Sequence, residues 1–205
     1  MGSHPRTNHR PAVAILCEGL EDKLYLEALK NCGLWGNYRV EILPVKGAGN
    51  IPAYYQNILA SDTFWAVLVF CDTDRNGGRD YPLILQKLRD ILGCDPSPFV
   101  VFANPCSMQL MLLHFGEITL ATQSKHANAP SIERLTGVKN YQAHEEQIRE
   151  ICGQIDRTNY QAMKDRLAVH PDDDTVAGGT NFGRFLECLE SADSSWLKQL
   201  QKKGG

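Results

Sequence analysis

Phe64-Trp65-Ala66-Val67-Leu68-Val69-Phe70-Cys71-Asp72-Thr73-Asp74-Arg75-Asn76-Gly77-Gly78 is the stretch on which the fold turns. Seven consecutive apolar residues, 64–70, and a cysteine end at an acid; a second acid follows two residues on, then a glycine pair. A short apolar run closed off by turn residues predicts a strand buried on both faces, as in the middle of a parallel sheet. Side chains two apart on a strand share a face, with about 7 Å between their Cα atoms. Asp72 and Asp74 should therefore project together from the carboxyl end of a central strand, where open α/β sheets place their ligands. Two carboxylates so close repel each other, which suits a cation or a shared proton between them. The plainer alternative has Asp74 capping a turn and Asp72 solvated.

Upstream, Pro11-Ala12-Val13-Ala14-Ile15-Leu16-Cys17 reads as another strand, ending at Glu18-Gly19. Residues 21–31 have helical spacing, with Leu24 and Ala28 on one face and Tyr25 and Leu29 beside them. Asp22 falls in the first turn of that helix, where the helix dipole favours an acid whatever its function. Residues 38–45 alternate like a strand and run into Lys46-Gly47-Ala48-Gly49-Asn50. Glycines there would let backbone amides approach an anion, with Lys46 as a candidate phosphate contact; a tight turn with a solvated lysine is the simpler reading. A helix is expected over 51–59.

Downstream, Leu83, Leu85, Leu88 and Ile91 predict one apolar side of a helix over 81–92, and 98–103 reads as a fourth strand. Asn104-Pro105-Cys106-Ser107 should stop that strand and start a helix through Phe115. Strand and helix thus alternate, which predicts an α/β fold with a four-stranded parallel sheet flanked by helices. After Gly116 the character changes: a polar loop over 123–131, helices over 141–152, 159–169, 182–189 and 196–200, and an Asp172-Asp173-Asp174 loop. The expected domains are a disordered N-terminus (1–10), a catalytic α/β domain (11–120) and a helical extension (121–205) packing on the same core.

At 205 residues and net charge −3, the chain is not coated in positive charge, so any nucleic-acid contact must come from a local patch. Residues 121–170 carry Lys125, Arg134, Lys139, Arg149, Arg157, Lys164 and Arg166 against six acids, as a phosphate-binding face or as solvated helix faces. The 7 cysteines are odd in number and lie mostly within apolar runs without a C-x-x-C pair, which predicts reduced thiols in a cytoplasmic protein. No apolar run is long enough for a bilayer and no signal peptide is expected. Trp35, Tyr54 and Tyr55 are candidates for an exposed patch and a homo-oligomer contact.

Glu18 ends the first strand, Asp22 lies one turn into the next helix, and Asp72 and Asp74 end the third strand. If those strands are neighbours, their carboxyl ends are about 5 Å apart and the four acids converge. Oxygen-only ligation without His or Cys points to Mg²⁺ or Mn²⁺ rather than zinc. Such a site suits phosphoryl transfer.

These motifs resemble a known family. Glu18-Gly19-x-x-Asp22 after one strand and Asp72-x-Asp74 after a later one look like the signatures of the Toprim domain of topoisomerases, primases and the OLD family of nucleases. Cys17-Glu18-Gly19, Lys46-Gly47-Ala48-Gly49 and Asn104-Pro105-Cys106 before Leu112-Leu113-His114-Phe115 are similar to the small stand-alone RloB-like branch. The likeness covers about residues 12–120. It implies a Toprim-like sheet and a Mg²⁺-dependent nuclease cutting DNA or RNA, tRNA included. It also implies an ABC- or SMC-type ATPase partner in bacterial anti-phage defence. Glu18 would be the general acid/base or metal-organising residue, Asp72 and Asp74 the main ligands, Asp22 a supporting ligand and Lys46 a phosphate contact. One departure stands out: RloB-like chains usually carry a glutamate where this chain has Met108, so a second metal is not expected.

Two other readings compete. Val67 to Asp74 also resembles the nucleophile motif of haloacid-dehalogenase phosphatases, with Asp172 to Asp174 as the distal metal pair. Or the chain is a latent Toprim-like interaction module that needs its ATPase. Asn104, Ser107 and His114 are second-rank candidates, His114 reading best as a core histidine.

Overall fold

The computed structural model describes residues 10–73 and 80–202, with side chains as far as Lys198. Asp74, the glycine pair after it and nearly all of the segment expected to be disordered lie outside the described residues.

Strands β1 (Ala12–Cys17), β2 (Arg39–Pro44), β3 (Ala66–Asp72) and β4 (Val100–Ala103) form one parallel sheet in the order β2-β1-β3-β4. Helices α1 (Leu20–Asn31), α2 (Ile51–Ala60) and α3 (Asp80–Leu92) connect successive strands. Every residue of β1 and of β3 is buried, because helices cover both faces. Alternation then decides which face each side chain serves. Val13, Ile15, Cys17, Leu68 and Phe70 point into one core; Ala14, Leu16, Val67, Val69 and Cys71 point into the other.

The second core is closed by α2 and α3. The first is closed by α1 and by the whole C-terminal helical segment: α4 (Ser107–Leu113), α5 (Lys125–Thr136), α6 (Glu145–Cys152), α7 (Arg157–Leu167), α8 (Phe182–Glu190) and α9 (Ser195–Lys202). Among the described residues no helix is long and apolar enough to cross a membrane.

Three expectations are corrected. Most of the polar loop expected over 123–131 is instead the first half of α5, which starts at Lys125. Ser124 caps its start by accepting from the Ala127 amide, and Gly137 ends it at φ 78°, its N–H bonded to the Glu133 carbonyl. Good caps at both ends and the buried Ile132 outweigh the interior Pro130. In α3 the buried residues are Tyr81, Ile84 and Leu88, while Leu83 is 51% exposed. Leu88 is buried as expected and Leu85 and Ile91 pack part-buried beside it, but an i, i+3, i+7 row beginning at Tyr81 sets the helix phase and turns Leu83 outward. Trp35 and Tyr55 are only 2% and 1% exposed, so of the proposed aromatic patch Tyr54 alone, at 47%, faces outward.

The edge of β4 is covered by the chain entering α8. Ala103 makes an antiparallel bridge with Thr180, and the Asn181 side chain stands in for a strand. Its Oδ1 accepts from the Phe102 amide at 2.9 Å and its Nδ2 donates to the Val100 carbonyl at 2.8 Å. Both bonds are buried. Asn181→Ala would leave two backbone groups unpaired and is expected to cost about 2 kcal/mol in urea unfolding; an unchanged midpoint would mean water replaces the amide.

Candidate functional site

The strand order reverses direction between β1 and β3: β2 lies on one side of β1 and β4 on the far side of β3. In doubly wound sheets that reversal leaves a crevice outside the carboxyl ends of the two central strands. Glu18 follows the last residue of β1 and Asp72 is the last residue of β3, with Cys17 in register with Phe70. The two acids meet there. Glu18 Oε1 accepts a hydrogen bond from the Asp72 amide at 3.1 Å.

Asp22 is drawn in by helix physics. It occupies the third position of α1, and its Oδ2 accepts from the amides of Glu18 and Gly19, each at 3.1 Å, satisfying donors the helix start leaves open. Asp72 is oriented from the other side, its Oδ1 accepting from the Ser107 amide at 2.8 Å. Glu18, Asp22 and Asp72 are all buried. Burial pushes the Asp72 carboxyl well above the ordinary range, and the charges of Asp22, Glu18 and Glu21 push the same way, while the Ser107 amide opposes them.

A cavity of about 260 Å³ opens on this group. It is lined by Gly19, Glu21, Asp22 and Asp72 from the strand ends and α1, and by Lys125, Asn128 and Tyr141 from the C-terminal segment. The Tyr141 hydroxyl donates to Glu21 Oε2 at 2.8 Å. Sequence reading passed over this pair. Glu21 looked like an ordinary first-turn acid, and no local pattern ties a tyrosine 120 positions away to it.

Lys46 stands beside the site in backbone but not in side chain. The turn holding it is stitched to the end of β1 by Val45 N–H to the Cys17 carbonyl (2.9 Å) and Gly47 N–H to the Glu18 carbonyl (2.8 Å). Gly47 has φ 119°, which only glycine adopts freely, and Lys46 itself is left-handed at φ 60° with an exposed side chain. Asp74 lies outside the described residues. Asn104 serves the C-terminal loop, donating to the Asp174 carbonyl at 2.7 Å. Asp173 turns back on Thr175, and none of Asp172, Asp173 or Asp174 lines the Asp72 cavity.

Hard divalent cations favour all-oxygen donor sets, and the donor chemistry of Glu18, Asp22 and Asp72 fits one. Among the described residues, however, no three His, Cys, Asp or Glu side chains already stand in an arrangement that could hold an ion. Asp22 Oδ2 and Glu18 Oε1 are engaged by backbone amides.

His114 is a core residue, 2% exposed, between the Tyr25 hydroxyl (3.2 Å) and Asn159 Oδ1 (3.3 Å). Burial lowers its pKa from 6.5 to about 4. The unfolded chain therefore takes up the proton below about 6.5, whereas the folded protein does so only near 4. Stability is fully present above the upper value and is lost as pH falls through this window, by about 3 kcal/mol at most. Urea midpoints at pH 7 and 4.5 should separate more in the wild type than in His114→Gln; equal separation would mean that other groups govern acid sensitivity.

No family model and no curated protein matches the chain. Among solved structures it is similar to the C-terminal region of the Burkholderia pseudomallei OLD protein, at 13% identity and TM-score 0.42, over 95% of this chain and 99% of that one. A likeness of that degree carries nothing about chemistry.

Proposed function

We propose that this protein is a divalent-cation-dependent nuclease, hydrolysing phosphodiester bonds of DNA or RNA at the crevice between β1 and β3. The observation that carries the reading is the meeting of Glu18 and Asp72 at the sheet's reversal point, two acids 54 positions apart joined at 3.1 Å. Support comes also from the resemblance of Glu18-Gly19-x-x-Asp22 and Asp72-x-Asp74 to Toprim signatures.

Asp72 and Asp74 would hold the cation, Mg²⁺ or Mn²⁺, with Asp22 in support. When bound, the ion would supply charge stabilisation at the phosphoryl oxygens and a lowered pKa for the attacking water. Glu18, only 1% exposed and engaged with the Asp72 amide, is better placed to organise this acidic pair than to exchange protons with substrate. The Ser107 amide holds one Asp72 oxygen, so the carboxylate meets its ligand preoriented. Lys46 would ground a substrate phosphate by extending from the turn beside Glu18. A cytoplasmic setting, an ABC- or SMC-type ATPase partner and a role in anti-phage defence are what the resemblance adds.

A second reading has one observation of its own. Met108, where RloB-like chains usually carry a glutamate, is 3% exposed and lines the cavity, which would suit a module that binds a cation yet stays latent without its partner.

The test is cleavage of labelled DNA and tRNA with Mg²⁺ or Mn²⁺ against chelator. The nuclease reading expects cation-dependent products that vanish in the Asp72→Ala/Asp74→Ala double variant while its circular dichroism is unchanged. Full activity in that variant would end it. Cation binding without cleavage, followed by activity on adding the ATPase, would select the latent module.

A further inference from the structure

The C-terminal segment does more than fill the core: it supplies the wall that faces the acids. Lys125 stands on that wall. Among the described residues lining the cavity it is the one cation, and Glu21, Asp22 and Asp72 line the same space. Its side chain is exposed, plays no part in the Ser124 cap that starts α5, and makes no ion pair among the described residues.

Its placement relative to Asp72 is built, not incidental. Helix α4 touches both walls. At its first residue the Ser107 amide grips Asp72 Oδ1. Two residues on, Gln109 is fully buried and staples the connection that leads to α5: its Nε2 donates to the Ile118 carbonyl at 2.8 Å and its Oε1 accepts from the Leu120 amide at 2.7 Å. The buried Asn128 then closes the turn into α5 by donating to the Thr122 carbonyl at 2.8 Å. A buried amide with donor and acceptor both satisfied is a rigid spacer. Thus one short helix sets the carboxylate on one side and, through the 118–122 connection, the lysine on the other.

A lysine that shares a cavity with acids ordinarily pairs with them, and here Lys125 is exposed and in no ion pair among the described residues. An ammonium lining the same cavity as carboxylates is complementary to a ligand that is itself an anion held through a cation on the acidic side. A phosphodiester has that chemistry: some oxygens can face the cation while another faces the ammonium, a point charge on a flexible stem.

We propose that Lys125 is a substrate-binding residue of this site, contacting a phosphate of the nucleic-acid strand bound across the cavity. The proposal rests on the nuclease reading and deepens it, since it assigns the substrate side of the site to the helical segment.

Two measurements on the full chain separate the two ideas. Divalent binding is followed with Mn²⁺ by electron paramagnetic resonance, and strand binding by fluorescence anisotropy of a labelled single-stranded oligonucleotide in Ca²⁺ over a range of salt. Lys125→Gln should leave the Mn²⁺ titration unchanged, weaken oligonucleotide binding several-fold at low salt, and lower the slope of log K against log salt by about one unit. Lys125→Arg should keep most of the affinity. Lys198→Gln, on α9, is the control for loss of a charge as such and should change neither. Wild-type binding and slope in Lys125→Gln, an equal loss in Lys198→Gln, or a wild type that takes up Mn²⁺ but no oligonucleotide would each overturn the role of Lys125. A wild type that takes up no Mn²⁺ and cleaves nothing would overturn the nuclease reading itself.

Discussion

Asp72→Asn is expected to make the cation-free protein more stable and the cation-loaded protein inactive. The asparagine keeps an oxygen for the Ser107 amide, so the anchoring bond at 2.8 Å survives. What disappears is a buried negative charge pressed by Asp22, Glu18 and Glu21, the arrangement that pushes the Asp72 carboxyl upward. Relief of that repulsion should be worth about 2 kcal/mol, or about 4–8 °C in a chain of this size. Divalent cations should raise the melting temperature of the wild type and leave the variant where it is, because ligand-induced stabilisation requires binding to the folded state. Cleavage should fall by about 10³-fold, the loss of several kcal/mol of transition-state stabilisation. A variant that melts lower, with the cation response intact, would make Asp72 a structural residue and remove the reason to seek chemistry at this crevice.

Phe182→Ala should be the most destabilising single truncation. Phe182 is fully buried, with its ring centroid 6.0 Å from Tyr25, 5.6 Å from Phe70 and 5.4 Å from Phe185. It thereby joins α8 to α1 and to the central strand. Removing a buried aromatic ring costs about 3–5 kcal/mol, and collapse is hindered here because three rings and a strand define the hole. Thermal melting should shift down by roughly 10 °C or more in one transition. Val169→Ala, at a residue 77% exposed, is the comparison and should be close to neutral. Two separate transitions in Phe182→Ala would mean that the helical segment folds as its own unit, and the shared core would have to be abandoned.

That shared core explains why half of the candidate site was legible in the chain and half was not. The run 64–71 reads as a strand covered on both faces, which holds from Ala66 on and leaves Trp65 53% exposed before it, and periodicity placed α1 with Asp22 in its first turn. Those inferences use neighbours within a turn or a strand length, where hydrophobic spacing and capping act. The α5 helix was misread because the polarity of 123–131 is a local signal, while its caps and the burial of Ile132 depend on what packs beside it. The phase of α3 was legible in part: Leu88 is buried with Leu85 and Ile91 packed beside it, but the sheet beneath selects Tyr81 and Ile84 in place of the exposed Leu83.

From the residues alone follow a buried parallel β/α core, acids at the ends of its strands, and a mainly helical C-terminal extension. Periodicity and strand termination are short-range properties, written into consecutive side chains. The tertiary structure alone decides that β1 lies against β3, so that Glu18 reaches the Asp72 amide. It alone brings Tyr141 to Glu21 and Lys125 to the far wall of the cavity. Strand order and helix docking are chosen by total burial over the whole chain, and no local stretch carries that sum.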